Sequence, residues 1–135
     1  IDEAVYAPIY YGYGAQGEYA ARSDFARHME ERLVGYAPDF IHVLVKASPE
    51  VIASRMDENP HQNPVVPKKD IKKILSRFEE EFEASTMLNK ITIDTSSATV
   101  DESVGDFMQK VAPVLNDRDR TAMLVKKAEK AGDWP

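Results

Sequence analysis

Two periodicities divide the chain. From 18 to about 34, Ala21, Phe25, Met29 and Leu33 recur every four residues and predict a helix with one buried apolar stripe. Arg22, Arg27, Glu30, Glu31 and Arg32 supply its polar surface, and Gly35 with Pro38 marks its stop. Residues 40–45 read FIHVLV, a nearly continuous β-branched and apolar run that predicts a strand buried on both faces. Ser48-Pro49-Glu50 follows, a cap, a first-turn proline and an early acid, so a helix starts there and turns Val51, Ile52 and Met56 inward. It stops near Asn59-Pro60, and residues 61–67 lack periodicity and read as a loop. Ile71, Ile74, Leu75, Phe78 and Phe82 predict a second amphipathic helix over 69–85. Residues 90–95, KITIDT, predict a second strand. Thr99 with Glu102 forms a capping box for a last core helix carrying Val104, Phe107, Met108, Val111 and Leu115. Residues 117–135 read as a weakly amphipathic helix or a mobile tail.

Helices alternating with strands imply a parallel sheet in an α/β layer fold. Only two strands are predicted, so the expected architecture is a partial three-layer α/β fold, a small parallel sheet flanked by helices. The expected domain runs over 1–116, with a lid at about 57–70 and a tail at 117–135. The first residue is Ile1, and the front strands of such a fold are expected upstream of it. The length, 135 residues, suits one domain. A net charge of −6 disfavours nucleic acid and anionic membranes as partners. No apolar run approaches the roughly 18 residues of a membrane span. Without cysteine, disulfides and thiolate metal sites are excluded. No leader resembling a secretory signal follows Ile1, which points to the cytoplasm.

Candidate chemistry is sparse. GYGAQG at 12–17 matches GxGxxG, the dinucleotide-binding pattern, but Pro8 spoils the preceding strand and no acid ends the next one. A dinucleotide domain is therefore the remote alternative, and a glycine-rich aromatic loop the simpler reading. No GxxxxGK[ST] loop, HExxH or EF-hand pattern occurs. His28, His42 and His61 have no metal-ligand spacing, so no metal site is expected. In the 69–85 helix, Lys68, Lys69, Lys72, Lys73 and Arg77 precede Glu79, Glu80, Glu81 and Glu83, an order that opposes the helix dipole.

The order of IHVLVKAS, PEVIASRM, a proline-rich loop, KKDIKKILSRFEEEFEAS, KITIDTSS and TVDES resembles the C-terminal half of the P-loop nucleoside and nucleotide kinases, the thymidylate kinase and deoxynucleoside kinase group. The resemblance covers roughly residues 40–115. It implies an ATP-dependent phosphotransferase that uses Mg²⁺ and acts on a nucleotide, nucleoside or similar small phosphate acceptor. It implies that Arg55 stacks on adenine or meets the ATP phosphates, that Thr95, Ser96, Ser97 and Ala98 form the loop touching adenine, and that Arg77 reaches the transferring phosphoryl group. Lys68 and Lys69 are weaker candidates for that last task, and Tyr10, Tyr11 and Tyr13 for the acceptor pocket. A surface arginine at 55, ion pairs of Arg77 with Glu80 or Glu81, and core packing of the tyrosines are the simpler alternatives. The chain departs from the family in lacking the phosphate-binding loop and in a lid, HQNPVVPKKD, without arginine. The chain alone is therefore expected to be inactive, the alternative being a non-catalytic binding or interaction module on a kinase-like half-fold. The edge of the 40–45 strand is expected to pair between chains, a homodimer being the simplest product.

Overall fold

The structure is a computed structural model and describes residue 5 and residues 16–62 and 66–132. Helix α1 (Gln16–Tyr36) leads through a short turn into strand β1 (Ile41–Lys46) and helix α2 (Pro49–Glu58). A 3-10 turn (Lys68–Asp70) opens helix α3 (Ile71–Ala84), followed by strand β2 (Asn89–Asp94) and helix α4 (Val100–Val111). A second 3-10 turn (Ala112–Val114) precedes helix α5 (Asp117–Ala131). Local chemistry sets these boundaries. The Ser48 hydroxyl accepts from the Val51 amide at 3.3 Å, with Pro49 in the first turn of α2. Thr99 and Glu102 exchange both bonds of a capping box at the start of α4. Gly132 adopts a left-handed φ of 72° and ends α5.

The two strands pair in parallel, Val43 opposite Ile91 and Val45 opposite Ile93. Ile41, Val43, Val45, Ile91 and Ile93 thus share one face of the sheet. Ile91, Ile93 and Val111 form the buried centre there, and Ile41, Val43, Phe107, Val114 and Leu115 pack around it. The opposite face carries His42, Leu44, Lys46, Lys90, Thr92 and Asp94 and meets α3. The His42 and Phe82 ring centroids lie 4.9 Å apart with the ring planes inclined at 64°. The fold is therefore mixed α/β with a small parallel sheet, as alternation of elements predicts.

Three expectations are corrected. Strand β1 is not buried on both faces: Val45 is 64% exposed, because α4 covers the sheet only toward its Val111 end. Likewise Val104 and Met108 of α4, predicted inside, are exposed. The apolar stripe of α1 also faces outward, with Phe25, Met29 and Leu33 exposed. What α1 turns toward α3 is polar. Arg27 donates to the Glu81 backbone carbonyl at 2.9 Å and lies 3.4 Å from its carboxylate, while Ser23 donates to that same carboxylate. Arg77 of α3 binds both Glu81 and Glu80, and Glu30 accepts from the Thr86 amide at 2.9 Å. Glu30 and Glu81 are buried here as members of an ion-pair network rather than as isolated charges.

Candidate functional site

In a parallel α/β sheet the loops after the carboxyl ends of the strands gather side chains from separate elements at one end of the molecule. Here the two loops begin at Lys46 and Asp94, partners in the sheet register. They are tied together. The Thr95 amide donates to the Lys46 carbonyl at 2.8 Å, and the Thr95 hydroxyl donates to the same carbonyl at 3.1 Å. The Ser48 amide donates to Ser96 Oγ at 2.8 Å, and that hydroxyl in turn donates to Asp94. These bonds from Ser96 hold the Asp94 carboxyl below the usual carboxylate range, the hydroxyl contributing more than the amide.

Arg55 fastens the last turn of α2 onto this junction. Its guanidinium donates to Thr95 Oγ1 at 3.0 Å and to the Thr95 carbonyl at 2.7 Å. A planar fork held on one edge in this way keeps its faces available for stacking. Beside it, on the α4 face of the sheet, lies a cleft of about 590 Å³. Val43, Val45, Ile93, Ala98, Val100, Val104 and Phe107 form its walls, and Arg55, Thr95 and Ser103 its polar rim. Its size and its mostly apolar lining with a few polar groups are those of a small-molecule site.

A second, polar cleft of about 320 Å³ opens toward α3 at the same end of the sheet. Lys46, Ser48, Asp94 and Ser96 line it from the sheet side, and Lys72, Ser76 and Glu79 from α3. Glu79 accepts from the Lys46 ammonium at 2.8 Å, and this bond raises the pKa of Lys46 above the ordinary lysine value.

The geometry thus brings Arg55, Thr95 and Ala98 to one cleft and Ser96 to the back of the same junction, while Ser97 is exposed on the loop between them. It does not bring Arg77 to either cleft. Arg77 sits in the network with Ser23, Glu80 and Glu81, so the ion pairs that its spacing predicts are formed. Lys68 pairs with Asp57 of α2, and Lys69 is exposed in the 3-10 turn. Tyr10, Tyr11, Tyr13 and the glycines at 12 and 14 lie outside the described residues, whereas Gly17 falls in the first turn of α1. Val45, Val100 and Val104 escaped sequence reasoning because an apolar residue that lines an open cleft has the same pattern as one in a core. The signal for Lys46 and Asp94 was available: each lies within one residue of the carboxyl end of a predicted strand, and each is the last residue of the observed one.

Among the described residues no group of three or more His, Cys, Asp or Glu is arranged to hold a metal ion, and no helix is long and apolar enough to cross a membrane. No protein-family model, curated protein or solved structure matches this chain.

Proposed function

We propose that this chain forms the base-binding part of an ATP-dependent phosphotransferase of the P-loop nucleoside and nucleotide kinase type, acting on a nucleotide, nucleoside or similar small acceptor. The observation that carries the reading is the clamp of Arg55 on Thr95 at the mouth of the apolar cleft. A purine ring is planar, largely apolar on its faces and polar at its edge. The cleft offers it valine and phenylalanine walls, a guanidinium face and the polar groups of Thr95 and Ser103.

ATP fits these residues through its base. Val45, Val104 and Arg55 would hold the adenine, and Thr95 and Ala98 would set how deep it enters. The chemistry that Mg²⁺ supplies is neutralisation of phosphate charge, and in this reading the ion arrives with the triphosphate, since Mg²⁺ is commonly held by substrate phosphates and only one or two carboxylates. The sequence contains no GxxxxGK[ST] loop to cradle the β- and γ-phosphates, so the chain is expected to bind nucleotide without transferring phosphate.

The test is titration of the chain with a fluorescent N-methylanthraniloyl ATP. Saturable binding is expected in the micromolar to millimolar range, competed by ATP, with no phosphate transfer to any nucleotide acceptor. Arg55→Ala should weaken it by about tenfold, the size of one lost charge-assisted or stacking contact. Val104→Trp, which fills the cleft without touching Arg55, should also weaken it. Binding indifferent to both changes, or turnover by the unaltered chain, overturns the reading.

A second reading, a non-catalytic binding module, is favoured by the lining itself, to which the described residues contribute no carboxylate, histidine or lysine. It predicts that the cleft takes apolar small molecules in preference to ATP.

A further inference from the structure

Helix α1 carries an exposed line of large apolar side chains. At 3.6 residues per turn, Phe25, Met29, Leu33 and Tyr36 fall within an arc of about 80°. All four are exposed: Phe25 by 68%, Met29 by 41%, Leu33 by 37% and Tyr36 by 90%. Ser23, Arg27 and Glu30 lie roughly a third of a turn or more away and make the polar contacts with α3 and Thr86. An ordinary surface helix would show the reverse. The stripe does not stop at the end of the helix. The Phe40 amide donates to the Ala37 carbonyl at 3.1 Å, and the Asn89 side chain donates to the Phe40 carbonyl at 3.5 Å. These bonds bring the segments carrying the exposed Phe40 and Leu88 close to the end of α1.

We propose that this face is an interface between two copies of the chain, with the two α1 helices packed antiparallel about a twofold axis near Met29. Two observations select a second copy as the occupant. The first is charge. Asp24 and Arg32 lie on one flank of the stripe, one turn before and one turn after His28, and both are exposed. Neither forms an ion pair with a described residue of its own chain. Reversing one helix against the other sets Asp24 of each copy opposite Arg32 of its mate, two pairs from one sequence. Such self-complementarity is what a twofold interface requires, and an unrelated partner would have no reason to match it. The second is size. Two mostly exposed rings of about 150–250 Å² each, with Met29 and Leu33 between them, make a patch on the order of 500 Å². That is at the upper end of what a monomer commonly leaves uncovered. With Phe40, Leu88 and the flanking charges it approaches the roughly 800 Å² per partner of a stable complex.

Sedimentation equilibrium of the full chain tests the proposal. A dimer is expected at micromolar concentration. Met29→Glu, which sets two carboxylates against each other at the axis and lies on a face already exposed, should weaken it by about a hundredfold or more. Asp24→Arg and Arg32→Asp should each weaken it by about tenfold, since two unlike pairs become like pairs. The double variant, with both changes, should regain most of the affinity. Circular dichroism of each variant should stay that of the parent chain, because all three side chains lie on the exposed side of α1. A monomer at all concentrations overturns the proposal. So does a dimer that ignores Met29→Glu, which would assign association to the edges of the sheet. A double variant no better than the singles refutes the antiparallel arrangement. Nucleotide binding at the cleft is independent of all these outcomes.

Discussion

At the residue scale, His42 shows how position decides chemistry. Burial is the main cause that lowers its pKa below the ordinary value of 6.5, and the cations Arg27 and Lys90 add to it while Glu30 opposes it. Its Nδ1 is 3.0 Å from Ser85 Oγ, and its ring leans on Phe82, whose other neighbour is the Lys90 ammonium. A folded-state pKa below the unfolded one means that the unfolded chain takes up the proton first. The contribution of His42 to stability is therefore complete above about pH 6.5 and is lost as pH falls from there through the folded pKa. Urea unfolding at pH 7.5 and 5.5 should show the parent chain losing more stability on acidification than His42→Gln, which keeps a partner for Ser85 and does not titrate. An equal loss in both would show that His42 is as solvated folded as unfolded.

The same scale explains where the sequence misled. Periodicity equates apolar with buried, and along α3 that holds, since Ile71, Ile74 and Phe82 are inside. It fails on α1 because Arg27, Glu30, Arg77 and Glu81 form ion pairs across the contact and take the place that the stripe was expected to fill. The legible clue was the spacing of Ser23, Arg27 and Glu30 on one helix against Arg77 and Glu81 on another. Nothing in either segment alone says that the two faces meet.

At the scale of elements, the punctuation was the most legible part. The helix start at Ser48-Pro49, the capping box at Thr99 and both strands stand within a residue or two of where the residues put them, because caps and β-branched runs act locally. The clefts were less legible, being made by the way elements end against each other. The Thr99–Glu102 box matters to both. It opens α4 directly after Ala98 and beside Val100 and Val104, which line the apolar cleft. Thr99 donates to Glu102 from its amide at 2.7 Å and its hydroxyl at 2.9 Å, and these bonds keep the Glu102 carboxyl below its ordinary range, the amide contributing most. Thr99→Ala should cost about 1 kcal/mol of stability in urea unfolding at neutral pH. A change under a few tenths would mean that packing of α4 on the sheet, and not its cap, holds this helix.

At the scale of the whole molecule, the balance between buried and exposed apolar surface is the telling quantity. The sheet has a buried centre of Ile91, Ile93 and Val111 on one face, and α5 leaves Leu124 largely exposed. Val45, Val100 and Val104 border the open cleft, and Phe25 and Tyr36 stand in the open stripe. With so little apolar surface of the described residues removed from water, their driving force for cooperative folding is weak. Heat capacity and enthalpy of unfolding follow buried area, so both should fall short of the norm for this length. Scanning calorimetry should return less than the roughly 0.7 kcal/mol per residue near 60 °C typical of globular domains, with a low and broad transition. Two additions should sharpen it for separate reasons. Raising the protein concentration should raise the midpoint if the α1 stripe is covered by a second copy, and saturating ATP should raise it if the Arg55 cleft holds a base, since each binds only the folded state. Met29→Glu should remove the first response and keep the second, and Arg55→Ala should do the reverse. A sharp transition of normal enthalpy in dilute chain without nucleotide would contradict the thin core itself.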